Sequence, residues 1–319
     1  TLVEARTGLA QSADARHLQI NALPGQGDPA GDALRPGDGI GVLGIELQTR
    51  RRNRVNGRVV ARDDRQLTLQ VEHAFGNCPQ YIQARAFRFS GDPAEPFVGR
   101  TEVLVKLDAE ASAMIGAADT FFVASYVDPE GDAGRRQVDA SHRGGKAGFV
   151  RIDGDVLTIP DFAGNLHFNT LGNLRVNPRA GLLFIDFANG DLLQLTGRTE
   201  LVLASDEVSS FQGAERLWRL YVDKAVRRRG VLKLRWRLDE VSPNSLMTGS
   251  WEEALARQQA PALRNQWRRF RIARITNESS TIKSFHLEAA DGAGLPLFKA
   301  GQHLPIRLVV AASAAPVIR

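Results

Sequence analysis

The sequence predicts a mainly β protein made of two copies of one small domain, and three observations carry that reading. The stretch 41–58, GVLGIELQTRRRNRVNGR, returns without a gap at 181–198 as GLLFIDFANGDLLQLTGR, at an offset of 140 residues. The match aligns Gly41 with Gly181, Leu43 with Leu183, Ile45 with Ile185, Glu46 with Asp186, and Gly57-Arg58 with Gly197-Arg198. Arg35 falls on Arg175 at the same offset, and with a one-residue gap Leu18-Gln19-Ile20 falls on Leu157-Thr158-Ile159. Such a period is the size of a whole small domain, whereas solenoid repeats run at roughly 20–50 residues. Finally, short alternating or β-branched runs between Gly, Asp, Asn and Pro dominate the chain, which is the all-β signature. The seam between the two copies is the expected place of action.

The elements follow in order. Strands are expected at Arg54–Val60, Gln66–Val71, Thr120–Tyr126, Gly148–Ile152, Val156–Ile159, Ala180–Phe187 and Leu192–Leu203. Asn189-Gly190-Asp191 reads as a tight hairpin turn; its counterpart, Thr49-Arg50-Arg51, lacks the glycine. Helices are expected at Leu107–Ala117, at Phe162–Asn177, which stops at Asn177-Pro178, and at Asp206–Asp223. Residues 250–266 read as a linker or a short interdomain helix broken by Pro261. Beyond it, Phe270–Ile275, Ile282–Leu287 and Gln302–Val310 read as three further strands. The first copy has no counterpart for the roughly fifty residues from Leu107 to Val156, and the last residues, AASAAPVIR, offer no way to close a fold. Both ends read as cut, so a fragment of a longer protein is expected.

A chain of 319 residues suggests about two domains. No window supplies the roughly 18 apolar residues of a membrane span. Nothing at the N-terminus resembles a signal peptide, although a start at Thr1 leaves a removed leader open. The lone Cys78 excludes an internal disulfide framework and a multi-Cys zinc site. A cytoplasmic protein is expected. The charge of +5, with a pI near 9.7, rests on arginine: Arg50-Arg51-Arg52, Arg54, Arg227-Arg228-Arg229 and Arg268-Arg269. Guanidinium suits bidentate recognition of phosphate or carboxylate, while each cluster reads equally as a solvated basic face. No nucleic-acid motif accompanies the charge, so no nucleic-acid partner is expected.

Three segments carry candidate chemistry. Val138–Phe149, VDASHRGGKAGF, joins an acid, a hydroxyl, cations and paired glycines. Gly144-Gly145 allow close backbone approach, and Ser141, Arg143 and Lys146 could hold an anion. A polar hairpin loop is the plain alternative. His142 has no second ligand at metal spacing, so no metal site is expected. Pro160–Asn177 carries Asn165, Asn169, Thr170 and Asn173 around the start of a helix, where free backbone N–H groups bind phosphate. Surface capping is the alternative there. In Ala74–Gln83, AFGNCPQYIQ, Cys78 would need a base such as His73 to act as a nucleophile, and a buried structural cysteine is the expectation. No GxSxG, Walker loop, HExxH or CxxC is present.

Taken together, SHRGGKAGFVRI, LTIPDFAGNLHFNTLGNLRVNPRAGLLFIDF and GDLLQLTGR resemble the pyridoxamine 5′-phosphate oxidase-like FMN-binding split barrels. More narrowly, TRRRNRVNG, FGNCPQYIQ and DASHRGGK resemble a bacterial subgroup with tandem barrels fused to a reductase. The resemblance covers about 8–241. It implies six-stranded antiparallel barrels that pair, here within one chain, with FMN at their interface. In ordinary family members an Arg–Lys pair before the helix ending in Asn-Pro holds the flavin phosphate; Asn169 and Thr170 stand there in this chain. The pyridoxal-phosphate substrate residues do not map, so that substrate is not carried over. The tail, especially FKAGQHLPIRL, is similar to the opening of a ferredoxin reductase-type FAD-binding barrel. FAD and a nicotinamide are therefore expected only in the intact protein.

The resulting expectation is mainly β: tandem FMN-binding split β-barrels, the first partial (1–104) and the second complete (105–249). A linker (250–266) and the first strands of a ferredoxin reductase-type β-barrel (267–319) follow. The function implied is an FMN-dependent oxidoreductase acting on a small molecule, with a non-catalytic flavin- or haem-binding module as the alternative. Catalytic residues are not assigned. The cofactor residues expected are Ser141, Arg143, Lys146, Asn165, Asn169 and Thr170, with Arg52, Arg54 and Asn56 reaching across from the first copy. Alternation along the strand puts Arg52, Arg54 and Asn56 on one outer face and Val55 on the core side. Arg227 is expected to be plain surface. The barrels pair within the chain, a further homodimer is compatible with this, and no membrane partner is expected.

Overall fold

The computed structural model describes all residues except 13, 32–33, 96, 98, 165–167, 264–265, 296–300, 302, 304 and 308–319. The chain divides into two compact units, Thr1–Ala254 and Leu255–Arg319. In the first unit, strands β1 (Ala10–Gln11), β2 (His17–Ile20), β3 (Gly39–Glu46), β4 (Arg51–Arg62) and β5 (Leu67–Gly76) form an antiparallel sheet in the order β1-β2-β5-β4-β3. Next come β6 (Ala84–Phe89), β7 (Thr101–Leu104), helix α1 (Ala109–Ala117), β8 (Thr120–Val127), β9 (Gln137–Gly144), β10 (Arg151–Asp153) and β11 (Val156–Phe162). They are followed by α2 (Asn169–Val176), β12 (Arg179–Ile185), β13 (Leu192–Val202), α3 (Asp206–Ser210), β14 (Ala214–Arg228), β15 (Leu234–Glu240) and α4 (Pro243–Leu246). The larger sheet runs β10-β11-β14-β13-β12-β8-β9, with β7 added to β14, while β6 pairs with β15.

The 140-residue offset holds in strand register. Gly41 pairs with Asn56 and Val42 with Val55 across β3–β4, as Gly181 pairs with Thr196 and Leu182 with Leu195 across β12–β13. A bulge interrupts β4–β5 between Asn56 and Gly57, and another interrupts β13–β14 between Thr196 and Gly197. Both bulges need glycine, because a Cβ would lie 2.0 Å from the Gln70 carbonyl oxygen at Gly57 and 2.1 Å from that of Tyr221 at Gly197. Outward from there, β1-β2-β5-β4-β3 repeats the order β10-β11-β14-β13-β12. The hairpin turns match too. Gly190 has φ +77°, and at the same offset Arg50 adopts φ +54° without being glycine. This left-handed conformation disfavours a side chain, and Arg50 is held by an ion pair with Glu240 at 3.3 Å.

The main core lies inside the second copy, where Phe121 stacks on Phe184 at 5.2 Å and on Phe149 at 5.8 Å, beside the fully buried Trp218. A smaller core of Ile20, Val59, Leu67 and Leu69 closes the first copy. Asp108 caps α1 by accepting the Ala111 N–H at 2.8 Å. At the seam, β3 lies against β9 with the backbones nearly touching. A Cβ on Gly41 would come within 3.1 Å of the Ala140 nitrogen, and one on Gly39 within 2.5 Å of the Arg136 oxygen.

Several expectations change. The helix expected over Asp206–Asp223 ends at Ser210, and Gly213, at φ +80°, turns the chain into the 15-residue strand β14. Pairing with both β11 and β13 outweighs local helix propensity there. The helix expected from Phe162 begins at Asn169, since Val156–Phe162 is a buried strand. In Val138–Phe149, for which a polar hairpin loop is the plain alternative, the residues up to Gly144 belong to β9. Among the described residues of the second unit, β16 (Phe270–Asn277) and β17 (Lys283–Ala289) form an antiparallel pair. The third expected strand, Gln302–Val310, falls largely outside the described residues. Residues 250–266 contain α5 (Trp251–Gln259), which ends before Pro261. No helix among the described residues is long and apolar enough to cross a membrane.

Candidate functional site

Strands β4 and β9 and the start of α2 converge on a cleft at the seam of the two copies. Arg52, Arg54, Ser141, Arg143, Asn169 and Thr170 line it, so six of the nine expected cofactor residues come together. Three do not. Lys146 lies outside this lining and pairs with Glu253, because its side chain leaves the strand after the Gly144-Gly145 turn. Asn56 lines a separate cleft, further along the face of β4 that carries Arg52 and Arg54. Asn165 lies outside the described residues.

A buried polar network forms one wall. The Arg54 guanidinium pairs with Asp139 at 3.0 Å and donates to Ser141 Oγ at 2.6 Å. Ser141 donates to Asp139 Oδ2 at 3.0 Å. Thr170 Oγ1 lies 3.0 Å from Ser141 Oγ and 3.3 Å from Asp139 Oδ2, so its single proton serves one of them. The Phe75 ring sits 5.3 Å from the Arg54 guanidinium carbon. Burial pulls the Arg54 pKa below its ordinary value, opposed by the Asp139 charge. Arg54 and Asp139 are 6% and 3% exposed, so this pair is an interior brace between the copies.

The other arginines divide sharply. Arg143 and Arg216 share Asp161, at 2.9 and 2.8 Å, and Arg216 also meets Glu215 at 3.0 Å. Arg52 has no carboxylate partner among the described residues. Its Nη1 lies 3.4 Å from His142 Nδ1, and it meets the Cys78 thiol. Burial lowers the Arg52 pKa, and the Arg54 and Arg143 charges add to the effect. His142 is 5% exposed, and burial, reinforced by Arg52 and Arg143, brings its pKa down to about 3. The imidazole is therefore neutral near pH 7 and offers Nδ1 as an acceptor to Arg52.

The AFGNCPQYIQ segment forms the rim. Cys78 is exposed, contrary to the expected burial, because Asn77, Cys78 and Gln80 line the cleft instead of entering a core. Tyr81, at φ +64°, donates its hydroxyl to the Ala163 carbonyl at 2.8 Å. Its own carbonyl oxygen would lie 2.2 Å from a Cβ on Gly144, which explains the glycine. Gln83 ties this rim to the second copy by donating to the Gly145 carbonyl and accepting the Ser242 N–H.

Sequence reading missed Asp139, Asp161 and Arg216. Alternation along β9 puts Asp139, Ser141 and Arg143 on one face. Nothing in the sequence announces that Asp161 meets Arg143 and Arg216. At the offset-equivalent of Arg54, Gln194 donates to a different buried acid, Asp28, at 3.3 Å. There the 1%-exposed Arg228 pairs with Asp28 at 2.9 Å and occupies the position. Arg227 is not plain surface either. It is 3% exposed and bridges Asp108, Glu110 and Glu102.

Residues 107–237 match the family described as pyridoxamine 5′-phosphate oxidase. This segment belongs to the pyridoxamine 5′-phosphate oxidase-like split-barrel family. The matched segment begins just before α1 and ends within β15, so it contains β9, β11, α2 and the β12–β14 sheet. A flavohemoprotein of Chromobacterium violaceum is 49% identical over 45 residues, covering 14% of this chain and 11% of that protein. The chain thus spans about a tenth of the length of that curated relative. Among solved structures, the H111A variant of Group A Streptococcus HupZ is similar at 13% identity and TM-score 0.30, over 38% of this chain and 98% of that one. A putative pyridoxamine 5′-phosphate oxidase of Lactobacillus delbrueckii is similar at 12% identity and TM-score 0.30, over 38% and 94%.

Proposed function

We propose that the Arg52 cleft binds FMN and that the protein is a flavin-dependent oxidoreductase of the split-barrel type. The observation that carries this reading is the charge arrangement of the cleft. Arg54, Arg143 and Arg216 are matched by Asp139 and Asp161, whereas Arg52 faces the cleft beside a neutral imidazole with no carboxylate. A half-buried guanidinium without an anion is unfavourable, and an anionic ligand group relieves it. The residues present therefore fit a cofactor that carries phosphate. Arg52 would engage its charge, while Asn169 and the Gly144 backbone would sit against it. Bound FMN would supply the electron transfer, and the protein would orient it and exclude water. Electrons would reach this site from a nicotinamide through an FAD module and pass to a small-molecule substrate.

A haem-binding module is the second reading, in line with the name of the Chromobacterium violaceum relative. It is weaker here, because His142, the imidazole lining this cleft among the described residues, is buried and turns Nδ1 to Arg52.

Titration of the protein with FMN and with riboflavin, followed by flavin fluorescence, tests the proposal. FMN is expected to bind more tightly, and Arg52→Met is expected to remove that preference while leaving riboflavin affinity unchanged. Equal affinity for the two flavins in the unaltered protein would overturn the phosphate assignment. A Soret band in the purified protein would decide for haem.

A further inference from the structure

The face of β4 that carries Arg52 and Arg54 continues to Asn56, and the seam continues with it. Arg54 reaches across to Asp139, and this bridge divides the seam into two clefts. Arg52 lies on one side and Asn56 on the other, about 13 Å apart along the strand at its usual rise. The Asn56 cleft is walled by Glu72 and Phe75 of β5, by Gln137 of β9, and by Asn169 and Asn173 of α2. Asn169 lines both clefts.

The two clefts differ in chemistry. In the Asn56 cleft the charged groups already hold opposite charges: Glu72 meets Arg58 at 3.1 Å, Arg136 meets Asp128 at 2.7 Å, and Asp139 meets Arg54. His73 stands exposed among the lining residues. No guanidinium is left over there, in contrast to Arg52. What is left over is an acceptor. The Asn56 carboxamide oxygen is buried and has no hydrogen-bond partner among the described residues. An acceptor in that state costs about 1–3 kcal/mol, and a ligand N–H or O–H would satisfy it. The Phe75 ring provides an apolar surface in the same cleft.

We propose that the Asn56 cleft is a second ligand site, which takes an uncharged, planar small molecule bearing an N–H or O–H donor. It is the substrate site of the oxidoreductase proposed above and rests on that reading for its role, though not for its binding chemistry. The Arg54–Asp139 bridge separates it from the anion-binding cleft, and Asn169 is the residue common to both.

Benzamide and benzoate, nearly identical in shape and different in charge, serve as probes. Chemical-shift changes in the ¹⁵N-labelled protein report where each binds. Benzamide is expected to perturb Asn56, Phe75 and Gln137 and to saturate, while benzoate leaves these residues unmoved. Asn56→Leu is expected to weaken benzamide binding about tenfold, the loss of roughly one hydrogen bond, without changing FMN affinity. Arg52→Met is expected to do the reverse. Gln137→Ala, on the opposite wall, is a second variant in case Asn56→Leu disturbs β4, and it should weaken benzamide alone. Benzoate binding as well as benzamide at Asn56, or benzamide perturbing only the Arg52 cleft, overturns the second site. Failure of FMN to bind, with benzamide still seated at Asn56, overturns the flavin reading and leaves the second site standing.

Discussion

Arg54 of the first copy and Asp139 of the second form a buried ion pair at 3.0 Å, one of the contacts that brace the two copies across the seam. Ser141 and Thr170 complete the hydrogen bonds around it. The pair is therefore structural as well as adjacent to the site. A mutation at either end will be read through stability before it is read through ligand binding.

Arg54→Met is accordingly expected to destabilise the first unit by about 3–5 kcal/mol, because it strands the Asp139 carboxylate in the interior. Asp139→Leu alone should cost a similar amount. The combination Arg54→Met with Asp139→Leu should cost much less than the sum of the single changes. Urea unfolding of the three variants measures this, and simple additivity would show that the two groups do not act as a pair.

His142 predicts a pH dependence of stability. Its folded-state pKa of about 3 lies below the ordinary 6.5, so the unfolded chain takes up a proton that the native state refuses. Stability from this group is complete above pH 6.5 and is lost progressively as pH falls towards 3. The slope approaches about 1.4 kcal/mol per pH unit for one proton. His142→Phe should flatten the urea midpoint between pH 6 and 4 relative to the unaltered protein, in amounts set by that same slope. An unchanged slope in the variant would assign the acid sensitivity elsewhere.

The two bulge glycines predict a matched pair of variants. Gly57→Ala and Gly197→Ala each force a methyl group onto a carbonyl oxygen across the strand pair, at 2.0 and 2.1 Å. Each should lower stability by about 1–3 kcal/mol, the range for overpacking, and calorimetry reads the shift in Tm. Gly181→Ala is the control, since its nearest contact would be an ordinary 3.7 Å. A loss at Gly181 equal to that at Gly197 would contradict the bulge explanation.

Arg227→Ala separates stability from binding. The side chain is buried beneath Asp108 and Glu110, so its removal should lower the Tm through lost packing and lost charge-assisted hydrogen bonds, worth about 1–3 kcal/mol. FMN affinity should stay as it was, because Arg227 lines neither cleft. A weakened FMN titration with an unchanged Tm would be the opposite result.

The 140-residue offset and much of the strand content are legible in the amino-acid sequence. Gly57 and Gly197, or Ile45 and Ile185, match at one offset because register and bulge position depend on local backbone chemistry that leaves a mark on residue type. The sequence also points to Arg52, Arg54, Ser141, Arg143, Asn169 and Thr170, since the residues of a polar site are unusual wherever they fall in a chain. Which of those charges remain available depends on contacts between distant strands. Asp139 lies 85 residues from Arg54 in the chain, and Asp161 lies between Arg143 and Arg216 in sequence as well as in space. An ion pair between distant strands leaves no local pattern. It is set by the fold, which buries Arg54 against its acid, turns Lys146 out to Glu253, and leaves Arg52 facing the cleft. Arg227 teaches the same lesson in reverse: burial depends on what packs above a strand, and adjacent residues do not encode that.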